Sequence, residues 1–147
     1  MRSLREEVNI MLYTYSLDSQ TVNANSDVVL NTNGVQCSCD GITHIAGTPT
    51  ITIRKAGTYV ISVNLNATSA TTGTSQFSLY NNGTAVKGAS ATTTIATAND
   101  IDNYSFTAMI RILPSCPAIN NIAQLTVVNT GANAAIISNA AITVRPV

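Results

Sequence analysis

From Gly57 onward the chain alternates. Tyr59, Ile61, Val63 and Leu65 fall on one side of an extended strand, and Val60, Ser62, Asn64 and Asn66 on the other. A period of two is the mark of a strand with one face buried and one wet. Phe77 to Val86 carries Asn82-Gly83 between two strand-like runs. That pair accepts the positive φ angles of a type I′ turn and predicts a β-hairpin. Tyr104 to Leu113 alternates again, with Tyr104, Phe106, Ala108, Ile110 and Ile112 on one face.

The same reading predicts further strands over 12–16, 35–39, 42–46, 50–54, 92–97, 124–128 and 134–144, and an interrupted extended segment over 20–30. Asp40-Gly41 and residues 129–133 read as turns, and 67–75 and 98–103 as polar loops. Pro114 and Pro117 end the 104–113 strand, because proline cannot donate to a ladder. No stretch has helical periodicity. About ten short strands with frequent turns predict an all-β antiparallel sandwich or jelly roll, with residues 11–147 as one domain.

Composition narrows what such a domain does. Thr, Asn and Ser make up 50 of the 147 residues, and charged residues only 10%, with net charge zero. Without clustered Lys and Arg there is no nucleic-acid footprint. No apolar run approaches a membrane span. Low charge gives little repulsion between copies, which suits an assembled particle or a tight oligomer. Seven aromatics and no Trp leave a lean core of Ile, Val and Ala. Part of the apolar surface is therefore expected between subunits, with Tyr104, Phe106, Ile110, Ile142 and Val144 as the interface.

Residues 1–10 differ from the rest, with two Arg and two Glu and no apolar core of a signal peptide. Arg5-Glu6-Glu7-Val8 can be encoded by a purine-rich stretch containing AGGAGGTG, a bacterial ribosome-binding site upstream of a Met11 start. The segment reads either as such a leader or as a short N-terminal arm. The first reading points to a bacterial or phage source.

Candidate chemistry is sparse. Cys37, Cys39 and His44 form a C-x-C-x4-H cluster of soft ligands. A zinc site wants four ligands, and the remaining cysteine, Cys116, is distant in sequence. Cys37 and Cys39 share a strand face, where a bridge between them would be strained; Cys116 could reach one of them but would leave an odd thiol, and without a signal peptide free thiols are expected. Asp100 and Asp102 offer oxygen ligands, but a calcium site needs about 6–8 of them. No metal and no cofactor is expected. Catalysis would need His44 as base beside a nucleophile and an orienting carboxylate, and no motif supplies that set.

Gly57-Thr58-Tyr59 opening a strand, followed by Leu79-Tyr80-Asn81-Asn82-Gly83-Thr84-Ala85-Val86, resembles the tumour-necrosis-factor and complement-head jelly rolls. Ala140-Ala141-Ile142-Thr143-Val144 fits the last, central strand of that fold. The chain is most similar in flavour to the globular tips of bacterial exosporium glycoproteins and to small phage virion proteins. The resemblance spans residues 12–147 and implies a homotrimer. It also implies, in some members, calcium near the trimer apex. There is no Gly-X-Y tract, so no collagen stalk of its own is expected, and placement on a particle by another route is.

The expected function is a non-enzymatic structural or binding module of a virion, decorating a phage head or tipping a fibre. The alternative is an adhesion module on a bacterial spore or cell surface, and a more distant one is a carbohydrate-binding or hydrolytic domain. Expected partners are further copies of the chain, a larger particle such as a phage capsid, and a host glycan. The expected contact loops carry Thr71, Thr72, Asn99, Asp100 and Asp102.

Overall fold

A computed structural model describes residues 11–36, 41–114 and 122–147. The described residues form eleven strands and no helix: β1 (Leu12–Ser16), β2 (Gln20–Val22), β3 (Thr32–Gln36), β4 (Ile42–His44), β5 (Ile51–Ile53), β6 (Gly57–Thr68), β7 (Gly73–Asn81), β8 (Thr84–Ile95), β9 (Asp102–Ile112), β10 (Ala123–Asn129) and β11 (Ala135–Pro146). Accordingly, no helix of the described residues is long and apolar enough to cross a membrane. One sheet runs β3-β1-β11-β6-β9, and β2 continues the β1 edge of β11. The other runs β4-β5-β10-β7-β8. Every strand pair is antiparallel.

The two sheets face each other across a core of Ile, Val and Leu. Tyr59, Ile61, Val63 and Leu65 of β6 are all buried in it, as the alternation predicts. Phe77 of β7 meets Tyr104 of β9 edge-on at 4.9 Å, linking the two sheets. Ile51 and Ile53 point inward as expected.

The strands are longer than pattern alone suggests. The predicted loop over 67–75 shrinks to 69–72, since Ala67 and Thr68 still pair with β11, and Gly73 to Ser75 pair with Thr93 to Ile95. Short polar residues keep these ladders going where hydrophobic alternation has faded. The segment over 20–30 yields only β2. Beyond it the Gln20 amide stands in for a strand, donating to Val29 O at 2.7 Å and accepting from Val29 N at 2.9 Å. The strand over 42–46 stops at His44, because Thr48 N and Oγ1 both turn back onto Ile45 O.

The Asn82-Gly83 hairpin forms as read. Asn82 has φ 53° and Gly83 φ 81°, the two positive angles of a type I′ turn. Gly34 is required for another reason. A Cβ there would lie 3.0 Å from Tyr13 Cδ2 and 3.3 Å from Tyr15 Cε2, so the two tyrosine rings lie against the bare backbone of β3.

One expectation is corrected. Tyr104, Ile110, Ile142 and Val144 are covered within a single chain, and Phe106 packs against the same core. Tyr104, Ile110, Ile142 and Val144 are spent on the chain's own core, because their face of the sheet is already occupied by the opposite sheet, while Phe106 on the same face is half-buried. The lean composition does not leave this face short of partners: small and β-branched side chains close it.

Two predictions follow from this packing. Asn129 is fully buried; it donates to Val22 O and Asn133 O and accepts from Gly131 N, each at 3.0 Å. Asn129→Ala leaves those groups unpaired in the interior, at about 1–3 kcal/mol for each one water cannot reach. Thermal melts should show a loss of roughly 5–10 °C; an unchanged melt contradicts the role. Burial pushes the hydroxyls of Tyr59 and Tyr104 above the ordinary tyrosine value. For Tyr104 the hydrogen bond to Ser75 partly offsets this, and the charge of Asp102 adds to it. Both rings fold best neutral. Their contribution is fully present below about pH 10 and is lost as pH climbs through the raised values. Urea midpoints should fall above pH 10, and less steeply in Tyr59→Phe/Tyr104→Phe.

Candidate functional site

Three places carry polar side chains that the core does not consume. The first is one end of the sandwich. Asn99 N donates to Ser69 O at 2.8 Å, tying the β8–β9 loop to the β6–β7 loop. Ser69 Oγ donates to Ala134 O at 3.1 Å, bringing in the turn between β10 and β11. The structure therefore gathers Thr71, Thr72, Asn99 and Asp100, all exposed, at one tip. Asp102 is half-buried at the start of β9, opposite Ala67. Ile101 between the two acids is 70% exposed.

The second is His44. It is buried, and both ring nitrogens face protein oxygens. Nδ1 lies 2.5 Å from Asn33 Oδ1 and 3.3 Å from Thr14 Oγ1, and Nε2 lies 2.8 Å from Thr48 O. Asn33 Nδ2 donates to His44 O at 2.7 Å, which orients that amide with its oxygen toward the ring. The ring thus cross-links β4 to β1, β3 and the 45–48 turn. A base or metal ligand needs a free nitrogen, and neither ring nitrogen here is free. Cys37, Cys39 and Cys116 lie outside the described residues. Among the described residues, no three His, Cys, Asp or Glu side chains gather where they could hold a metal ion.

The third place is a half-open groove of about 580 Å³ on the outer face of the β5-β10-β7 region. Thr126 and Tyr80 are directly opposed in the ladder and form its floor beside Thr50 and Val128. Gln124, Asn82 and Gly83 close one end, and Asn25 and Asp27 form a wall. That wall is pinned to β10: Asn25 N donates to Asn129 O at 2.7 Å, and Val28 N to Val127 O at 2.8 Å. Asn25 itself sits at φ 65°. Sequence reasoning missed this site. Its residues come from four separated segments, and the one carrying Asn25 and Asp27 has no regular periodicity.

No protein-family model matches the chain, and no curated protein matches it in sequence. Solved structures do match in shape. The chain is similar to the Eiger TNF of S. frugiperda at TM-score 0.71 and 10% identity, over 96% of this chain and 94% of that one. It is similar to murine APRIL, in a structure at pH 5.0, at TM-score 0.69 and 10% identity, over 95% and 99%. It is similar to the PRD1 vertex protein P5 at TM-score 0.50 and 13% identity, over 95% and 97%. At such identities the likeness is one of architecture: the fold of this chain is a TNF-like jelly roll.

Proposed function

We propose that the chain is a non-enzymatic structural module that assembles as a homotrimer on a virion, as a head decoration or fibre tip. The observation that carries this reading is the outer face of the β3-β1-β11-β6-β9 sheet. Across it, Thr107, Ser62, Thr143 and Tyr13 stand in one cross-strand row, and Ser105, Asn64, Ala141 and Tyr15 in the next. Met109 and Val60 adjoin them on the third row, which ends in Arg145. Arg111 and Arg145, toward one end, are the charged side chains among the described residues of this face. The middle of the face is uncharged and rimmed by a tyrosine pair with ring centroids 5.6 Å apart. Depletion of charge with aromatic enrichment is the composition of an interface centre. The occupant we infer is a second copy of the same face region, repeated around a three-fold axis.

The particle assignment is supported by architecture shared with the PRD1 vertex protein P5 over nearly the whole chain. Absence of a free base at His44 fits a passive role. The loop tip carrying Thr71, Thr72, Asn99 and Asp100, with Asp102 at its base, is the surface we assign to contact with the particle or its target.

Ser62→Arg places a long charge at the centre of the proposed interface while leaving the core untouched. It should give a folded monomer by light scattering and far-UV circular dichroism. Val144→Asp buries an unpaired charge instead, costs about 3–5 kcal/mol, and should unfold the chain. A trimer that survives Ser62→Arg contradicts the assigned face. Asp100→Ala/Asp102→Ala should leave mass and fold unchanged and weaken particle or cell adherence. Antiserum against the protein should label purified particles; protein that stays entirely in the soluble fraction contradicts the virion assignment.

A further inference from the structure

We propose that the groove over Tyr80 and Thr126 is a binding site for a short neutral saccharide. The inference does not rest on trimer formation, since the groove lies on the sheet opposite the proposed interface.

The groove has the size of a ligand site. Its volume of about 580 Å³ lies within the ~300–1,000 Å³ range of small-molecule sites. Its chemistry is selective. Tyr80, an aromatic residue half-buried in the outer face, lines the groove. An aromatic face carries negative charge density and attracts the C–H face of a pyranose. Around it stand an amide at Asn25, a carboxylate at Asp27, an amide at Gln124 and hydroxyls at Thr50 and Thr126. Neighbouring sugar hydroxyls each donate and accept, and planar amides and carboxylates can meet two at once.

These groups are also uncommitted. Among the described residues, the side-chain hydrogen bonds near the groove belong to Asn82, which donates to Ile122 O at 3.1 Å and accepts from Gln124 N at 3.0 Å. Among the described residues, the side chains of Asn25, Asp27, Tyr80, Gln124 and Thr126 make no such bond, and all five residues line the groove. The wall that carries Asn25 and Asp27 is pinned by backbone bonds, so little ordering is required on binding.

Other ligand classes fit less well. The charged side chain in the lining is Asp27, which repels phosphate and nucleic acid. An apolar ligand would leave those polar groups unpaired. A peptide strand would need a free sheet edge, and β10 is flanked by β7 on one side and by β5 and residues 25–28 on the other.

The test is an array of neutral hexose- and N-acetylhexosamine-based oligosaccharides probed with labelled full-length protein. The best binder is then titrated by NMR. At least one glycan should bind, shifting backbone amides of residues 25–27, 80 and 124–126. Asp27→Asn and Gln124→Ala, both at exposed positions, should each weaken it at least about tenfold with an unchanged melt. Tyr80→Phe should retain binding and Tyr80→Ala should lose it. Asp100→Ala/Asp102→Ala should bind as wild type. The proposal is overturned if no glycan binds, if binding survives Asp27→Asn and Gln124→Ala, or if it is lost only with the loop variant. A protein found to be monomeric that still binds through Tyr80 keeps this site and removes the trimer.

Discussion

Side-chain parity along β6 governs the rest of the molecule. This strand pairs with β11 on one edge and with β9 on the other. Its odd-numbered residues from Tyr59 to Ala67 are buried, and its even-numbered residues look outward. A slip of one residue against either neighbour would expose Ile61, Val63 and Leu65 and bury Ser62 and Asn64. The register is therefore held by the core, and through it the parity of β9 and β11 is set as well. What remains available to a partner is decided at the same moment: Ser62, Thr107, Thr143 and their neighbours, never Val144 or Ile110.

This explains where sequence reasoning succeeded and where it misplaced residues. Alternation in Tyr59–Leu65 and Tyr104–Ile112 correctly grouped each face, and Asn82-Gly83 correctly marked a turn. Alternation does not say which of two faces meets the chain's own second sheet. The apolar sets read from sequence as an interface, although a sandwich spends its most apolar face on its own core. Strand ends are also illegible at Ala67–Thr68, Gly73–Ser75 and Lys87–Ala91, where small and polar residues continue a ladder on cross-strand pairing alone. His44 looked like chemistry because it is unique in sequence. Its partners Thr14, Asn33 and Thr48 come from three other segments, so its structural role could not be read from spacing.

The two proposed surfaces lie on different sheets. One presents an outer face that is uncharged at its middle, the face the proposed assembly would bury. The other carries a groove with an aromatic floor and an acid in its wall, looking away from that face. The loop tip joins them at one end through Asn99, Ser69 and Ala134. Few charges and many hydroxyls serve this arrangement, since broad sheet faces can meet neighbours without ion-pair desolvation. Three grooves on one assembly would also turn weak single contacts into avidity, a gain of up to ~10²–10⁴.

The mass of the wild-type protein in solution tests the proposed trimer most directly. Sedimentation equilibrium across about 1–100 µM, concentrations at which a nanomolar assembly stays intact, should give a single species of three times the 15.3 kDa chain mass. A species that sediments at the mass of one chain over that range would contradict it.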